Sequence, residues 1–415
     1  MPAAIMESTL LKNTDPRILG ERLKNARKAR GLTQETVANN LGILRTTLVA
    51  IEKGDRRVTA SELVALAKMF GCQVSELVSS RANQTPFLPQ FRLPPNQQNI
   101  DESELVEAAI ELENLARDYI ELEEMTGVRR RHYFPPTYVM EVPGVTPEQR
   151  GEEVAAEERM RLGLGDGPVA GLRSLLEEAV GIRIFFIPLP ARVSGLFACN
   201  DDLGACIAIN SKHPPERGNW SIAHEYGHFL TTRYQADVSF THDHWGKMTA
   251  ERFADSFAKH FLMPRMGVLR RLSDLVNAHG KGVTVGDIMS LAHLYRVSAE
   301  AMCRRLEELK RIPFGTWDDL IKRHGFKPEQ ARTALGLAAA TRESRLPLRY
   351  RRLASSAYQK MQLLTEGQFA RKLRADRVSA RVELAALNQM NYDAGTPDNP
   401  GFAPVQLDAA ELVTC

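Results

Sequence analysis

Trp220-Ser221-Ile222-Ala223-His224-Glu225-Tyr226-Gly227-His228-Phe229-Leu230 decides how the larger part of the chain folds. It contains His-Glu-x-x-His. On a helix, residues four apart share a face one turn apart, so His224 and His228 can aim two imidazoles at one metal ion. Glu225 is turned away from a ligand position yet can still reach a metal-bound water. Two His ligands and a Glu base are what a zinc hydrolase needs. Zinc lowers the pKa of its bound water to about 7, and a carboxylate takes the proton during attack on a carbonyl. Ile222, Ala223, Phe229 and Leu230 suit a buried helix, and Gly227 leaves room for a close neighbour. A bare match of this length also arises by chance in amphipathic helices, so a third ligand is needed.

Downstream, Phe253, Ala254, Phe257, Ala258, Phe261 and Leu262 recur at helical spacing, and Pro264 ends the run. Glu251 and Asp255 lie four apart beside that apolar stripe. Glu251 would be the third protein ligand of a catalytic zinc. Asp255 would hydrogen-bond the outer nitrogen of a ligand His and fix its tautomer.

Residues from about 180 to 264 resemble the ImmA/IrrE metallopeptidases. The resemblance rests on a strand pair, on His224-Glu225-Tyr226-Gly227-His228, and on Glu251-x-x-Ala254-Asp255-x-Phe257-Ala258 closing at Leu262-Met263-Pro264. It implies a gluzincin-like protease with zinc held by two His and one Glu; the sequence alone does not separate zinc from manganese. It also implies narrow targets, typically a transcriptional repressor. Relatives more often carry Asn at the position of Asp255 and Glu at that of Phe253, so no role is carried over to Phe253.

Working outward, 415 residues allow two or three domains, and a composition 43% hydrophobic and 25% charged is that of an ordinary soluble protein. No run of 18 apolar residues is present, which excludes a transmembrane helix, and Met1 to Lys12 lacks a signal-peptide layout. Cys72, Cys199, Cys206, Cys303 and Cys415 are scattered and form no C-x-x-C pair, as for reduced thiols in a cytoplasm.

The N-terminal stretch reads as helices. Ile18, Leu19, Leu23 and Ala26 share a face. Thr33 caps a helix over 34–41, Gly42 turns the chain, and further helices cover about 44–53 and 60–70, with a fifth beginning near Val74. Gly31-Leu32-Thr33-Gln34-Glu35, Leu41-Gly42 and Ile51-Glu52-Lys53-Gly54 resemble the XRE/Cro DNA-binding domains over about 17–80. The resemblance implies that the third helix lies in the major groove. Arg45, Thr46, Thr47 and Ala50 would face bases, and Gln34 would contact phosphate. Relatives often begin that helix with Ser, where this chain has Leu44-Arg45-Thr46-Thr47, so no operator sequence carries over. Residues 1–80 hold 12 Lys and Arg against 8 Asp and Glu, a balance that suits a phosphate partner. Two-fold operators make a homodimer the expected form.

Pro86, Pro89, Pro94 and Pro95 mark a linker over 81–101. An acidic helical connector follows over 102–160. From Asp101 to Met160 there are 16 acidic and 6 basic residues; a solvated helix face is the favoured reading, with folding back on the DNA-binding head as the other. Arg129-Arg130-Arg131 reads as a solvated connector. A helix is expected over 152–164, leading into a peptidase core of 161–265 with a helix over 169–179 and strands over 182–187, 193–198 and 206–210. These strands are expected to form a small antiparallel sheet whose edge takes a substrate strand. His242, His244 and Trp245 lie in the loop before Glu251. Either His could steady an oxyanion, but an exposed loop is the simpler reading; either replacing Glu251 as ligand is less favoured. Residues 266–390 read as a helical region with a degenerate helix-turn-helix near 283–305, and 391–415 as a tail.

The fold class expected is mainly α: a five-helix head, an α+β zincin-like domain and a helical extension. The function expected is a DNA-binding regulator whose zinc endopeptidase cuts a repressor or regulatory protein, or its own linker, in a stress or mobile-element response. The alternative is a non-proteolytic transcription factor, or an antitoxin-like module, that keeps the zincin fold for sensing or partner binding.

Overall fold

The computed structural model describes residues 16–72, 74, 77, 102–128, 134–233, 237–240 and 249–395. The chain forms two compact units, Met1–Gln84 and Thr85–Cys415.

In the first unit, α1 (Pro16–Ala29), α2 (Gln34–Leu41), α3 (Arg45–Lys53) and α4 (Ala60–Phe70) enclose Leu19, Leu23, Val37, Leu48, Ile51, Leu63, Leu66 and Phe70. Thr33 caps α2 by accepting from the Thr36 amide, and Thr59 with Glu62 forms a capping box on α4. Gly42 ends α2 at φ 67°, a left-handed position that glycine takes at little cost and that turns the chain into α3. Inside, the Arg27 guanidinium donates to both Glu52 oxygens at 2.6 and 3.1 Å, tying α1 to α3. Of the expected fifth helix the described residues hold Val74 and Leu77, both helical.

The second unit is built on a four-stranded sheet. Its strands are β1 (Arg183–Ile187), β2 (Val193–Asn200), β3 (Gly204–Asn210) and β4 (Asp237–Phe240), in the order β1-β3-β2-β4. The expected antiparallel sheet is in fact mixed. β2 and β3 are joined by a tight turn and pair antiparallel, so β3 fills the place beside β1 and runs parallel to it, from Arg183↔Cys206 to Ile187↔Asn210. β4 falls in the stretch read as a loop. It pairs with the free side of β2, so the sheet's outer strands are β1 and β4.

β1 is buried on both faces, which explains its apolar run from Ile184 to Ile187. Ile184, Phe186, Phe197, Ile207 and Ile209 point into one core with α6 (Pro147–Arg161), α7 (Leu172–Ala179), α8 (Pro215–Thr232) and α9 (Thr249–Leu262). Phe185, Ile187, Leu196 and Ala208 point into the other, with α5 (Glu102–Met125) and the C-terminal helices. After α9 come α10 (Arg265–His279), α11 (Val285–Tyr295), α12 (Ala299–Glu308), α13 (Thr316–Lys322), α14 (Pro328–Ala334), α15 (Leu348–Ser355), α16 (Glu366–Lys372) and α17 (Arg377–Gly395). The helix–turn–helix pair α11 and α12 buries Ile288, Leu291, Met302 and Leu306 in the first core.

Several readings are corrected. α6 starts at Pro147, not near 152, because Thr146 and Gln149 form a capping box around a proline at the first turn. α7 starts at Leu172, after Gly171. α5 is not a solvated acidic face. Glu111 pairs with Arg345 and Arg374, Asp118 with Lys372 and Arg374, and Glu123 with Arg183 and Arg349. Apart from Arg183, sixty residues on, the bases that meet its acids come from more than two hundred residues downstream. Helix α17 runs on to Gly395, into the expected tail. The linker 81–101, Arg129-Arg130-Arg131, His242, His244, Trp245 and residues 396–415 lie outside the described residues. Among the described residues no helix is long and apolar enough to cross a membrane.

Candidate metal centre and reading helix

Helix α8 carries the site because its middle is apolar on the flanks of the motif. Ile222, Ala223, Phe229 and Leu230 are fully buried against the sheet and α9, which fixes the helix rotation and turns the histidines toward one spot. Gly227 lets α9 approach: a β-carbon there would stand 3.2 Å from the Ala254 Cα. On the opposite side Tyr226 is buried and donates to Glu158 Oε2 at 2.5 Å, while Arg161 bonds both groups. This anchor between α8 and α6 had no signal in the motif itself, where Tyr226 is a variable position.

The close approach brings Glu251 to the histidines. The two Nε2 atoms lie 3.1 Å apart, and Glu251 lies 3.2 Å from His228 Nε2 and 3.5 Å from His224 Nε2. Tetrahedral zinc with ligands at about 2.0–2.1 Å separates its donor atoms by about 3.3 Å. Three donors of zinc-binding type at that spacing fit such an ion, and they are the group among the described residues able to hold one. His224 donates from Nδ1 to Asp255 Oδ1 at 3.0 Å, which leaves Nε2 facing the other donors. Burial alone would push the His224 pKa down, but the carboxylates of Asp255 and Glu251 outweigh it and hold it well above its ordinary value. Burial would likewise raise Glu251, yet the two imidazoles hold it well below the usual carboxylate range. The centre favours positive charge.

Glu225 has no exposed surface, and β2 crosses directly over its carboxylate. A β-carbon at residue 195 would stand 2.3 Å from Glu225 Oε1, so Gly195 is what lets strand and carboxylate share the space. Sequence reading missed Gly195; a lone glycine in a strand signals a close approach, but not to which partner.

In the first unit, Arg45 and Thr46 are exposed at the start of α3, and Thr47 and Ala50 are half-buried along it. Gln34, expected at phosphate, donates its amide to Glu52 Oε2 at 2.8 Å and so joins the Arg27–Glu52 pin.

Comparison with known proteins matches residues 177–307 to the peptidase family described as the IrrE N-terminal-like domain, and residues 23–77 to the helix-turn-helix family. Three curated relatives match over short stretches of this chain. The cryptic phage CTXphi transcriptional repressor RstR of Vibrio cholerae is 36% identical over 15% of this chain, a match that spans 56% of RstR. An HTH-type transcriptional regulator of Methanocaldococcus jannaschii is 38% identical over 14% of this chain and 85% of its own length. The control protein C.SmaI of Serratia marcescens is 36% identical over 15% of this chain and 74% of its own.

Proposed function

We propose, for a chain that belongs to the helix-turn-helix regulators through residues 23–77 and carries an IrrE N-terminal-like domain at 177–307, that the centre on α8 and α9 is the working site of a zinc endopeptidase. The observation that carries this reading is the zinc-like spacing of His224, His228 and Glu251 beside a carboxylate, Glu225, with no exposed surface. When bound, zinc supplies a polarising charge for a peptide carbonyl and an acidified water. His224, His228 and Glu251 would hold it, and Asp255 would keep the His224 Nε2 lone pair aimed inward. Glu225 accepts the attacking water's proton on a carboxylate oxygen and returns it to the leaving amine nitrogen. Water exclusion around Glu225 strengthens that exchange.

The substrate in this reading is a repressor or other regulatory protein, or this chain's own segment near 81–100. The first unit would hold an operator in double-stranded DNA, as a dimer, with α3 in the major groove and Arg45, Thr46, Thr47 and Ala50 toward bases. The test compares new protein N-termini in cells expressing wild type and Glu225→Gln, before and after stress such as DNA damage. The expected result is a cut regulator or a cut linker with wild type alone. Matching N-termini under every stress would sink the peptidase reading and favour a regulator that uses the centre for sensing or partner binding.

A further inference from the structure

Residue 44 opens α3, the position where a helix ordinarily takes Ser, Thr, Asn or Asp to satisfy a free amide. α2 and α4 follow that rule with Thr33 and Thr59. α3 does not: its first flanking residue is Leu44, which makes no side-chain cap bond and is 74% exposed. An exposed leucine on its own is ordinary. This one replaces a cap, and it stands beside exposed Arg45 and Thr46 on the helix whose N-terminal residues meet base edges in helix-turn-helix docking. Leu48 and Ile51 enter the core, whereas Leu44 precedes the first helical turn on extended backbone (φ −70°, ψ 145°), and its side chain stays outside that core.

In the major groove, base edges present donors, acceptors and one apolar feature, the methyl at C5 of thymine. 5-Methylcytosine carries the same group. We infer that Leu44 is a specificity-determining residue that reads the C5-methyl of a pyrimidine, next to a guanine contacted by Arg45. The inference rests on the proposal that α3 reads DNA.

The test uses the full chain and duplex pools randomised over the binding site. Wild type, Leu44→Ser and Leu44→Ala are each taken through selection. Wild type is expected to fix thymine at one half-site position. Both variants are expected to be indifferent there while keeping the neighbouring guanine. Leu44→Ser restores a cap, so a fold defect does not account for its result. On the selected duplex, replacing that thymine by uracil should weaken wild type about three- to tenfold, the worth of one apolar methyl, and leave Leu44→Ser unchanged. Cytosine and 5-methylcytosine at the same position distinguish the sources. 5-Methylcytosine binding better than cytosine shows the methyl itself is read, and its rank against thymine says which base the site prefers. Uracil binding as well as thymine, or a variant that keeps the thymine preference, overturns the role of Leu44 alone. A pool that never enriches overturns DNA reading by α3, and this inference with it.

Discussion

At Gly195 a single hydrogen decides where the carboxylate of Glu225 can lie. The obstruction that any β-carbon would meet there is the end of a flexible side chain rather than backbone, so Gly195→Ala should fold, with Glu225 displaced. A shift of about 1 Å in a catalytic group costs on the order of 100-fold in rate. Gly195→Ala should therefore keep wild-type zinc content and thermal stability while cleavage of the identified substrate falls at least tenfold. Loss of zinc together with activity would mean that Gly195 supports the metal ligands instead. The candidate donors His224 and His228 were legible in the sequence because they lie one helical turn apart, as do Glu251 and Asp255. Gly195 was not, since its partner lies in another element thirty residues on, and nothing local records their meeting. The bond of the Gln34 amide to Glu52 was not legible for a related reason: it depends on how α2 packs on α3.

Among the elements, helices with caps and apolar stripes were legible, while pairings across the chain were not. The parallel placement of β1 depends on β3 taking the middle of the sheet, which turn residues do not encode. Helix α5 shows the same limit: its acids read as solvated because their partners come from β1, α15, α16 and the segments flanking those two helices. The Glu123 carboxylate, 2% exposed, lies 2.9 Å from Arg183 and 2.5 Å from Arg349. Removing one member of a buried ion pair costs about 3–5 kcal/mol, because the charge left behind has no compensation. Glu123→Ala should destabilise the second unit by about that amount in urea unfolding, with the DNA affinity of the first unit unchanged. A loss below about 1 kcal/mol would show that Arg183 and Arg349 find other partners or water.

Across the whole molecule, the residues that match the peptidase family are fewer than those that bury its sheet. Residues 177–307 contain β1 to β4, α8 and α9, but neither α5 and α6 before them nor α15 to α17 after them. One face would lose the cover of Phe185, Ile187, Leu196 and Ala208, and α9 would lose the close packing of α6 at Gly151. A protein of residues 177–307 should aggregate on expression, whereas residues 102–395 should be soluble and cooperative in thermal unfolding. Soluble, zinc-loaded 177–307 would show that the second core is dispensable.

The ion pairs between α5 and the C-terminal helices thus give the molecule a length scale of their own. Gene recombination that moved only the stretch between the first strand and α12 would deliver the candidate metal donors without the walls that keep them in place. The piece that would move intact runs from α5 to α17, closed by pairs such as Glu111 with Arg374 like the two ends of a clasp.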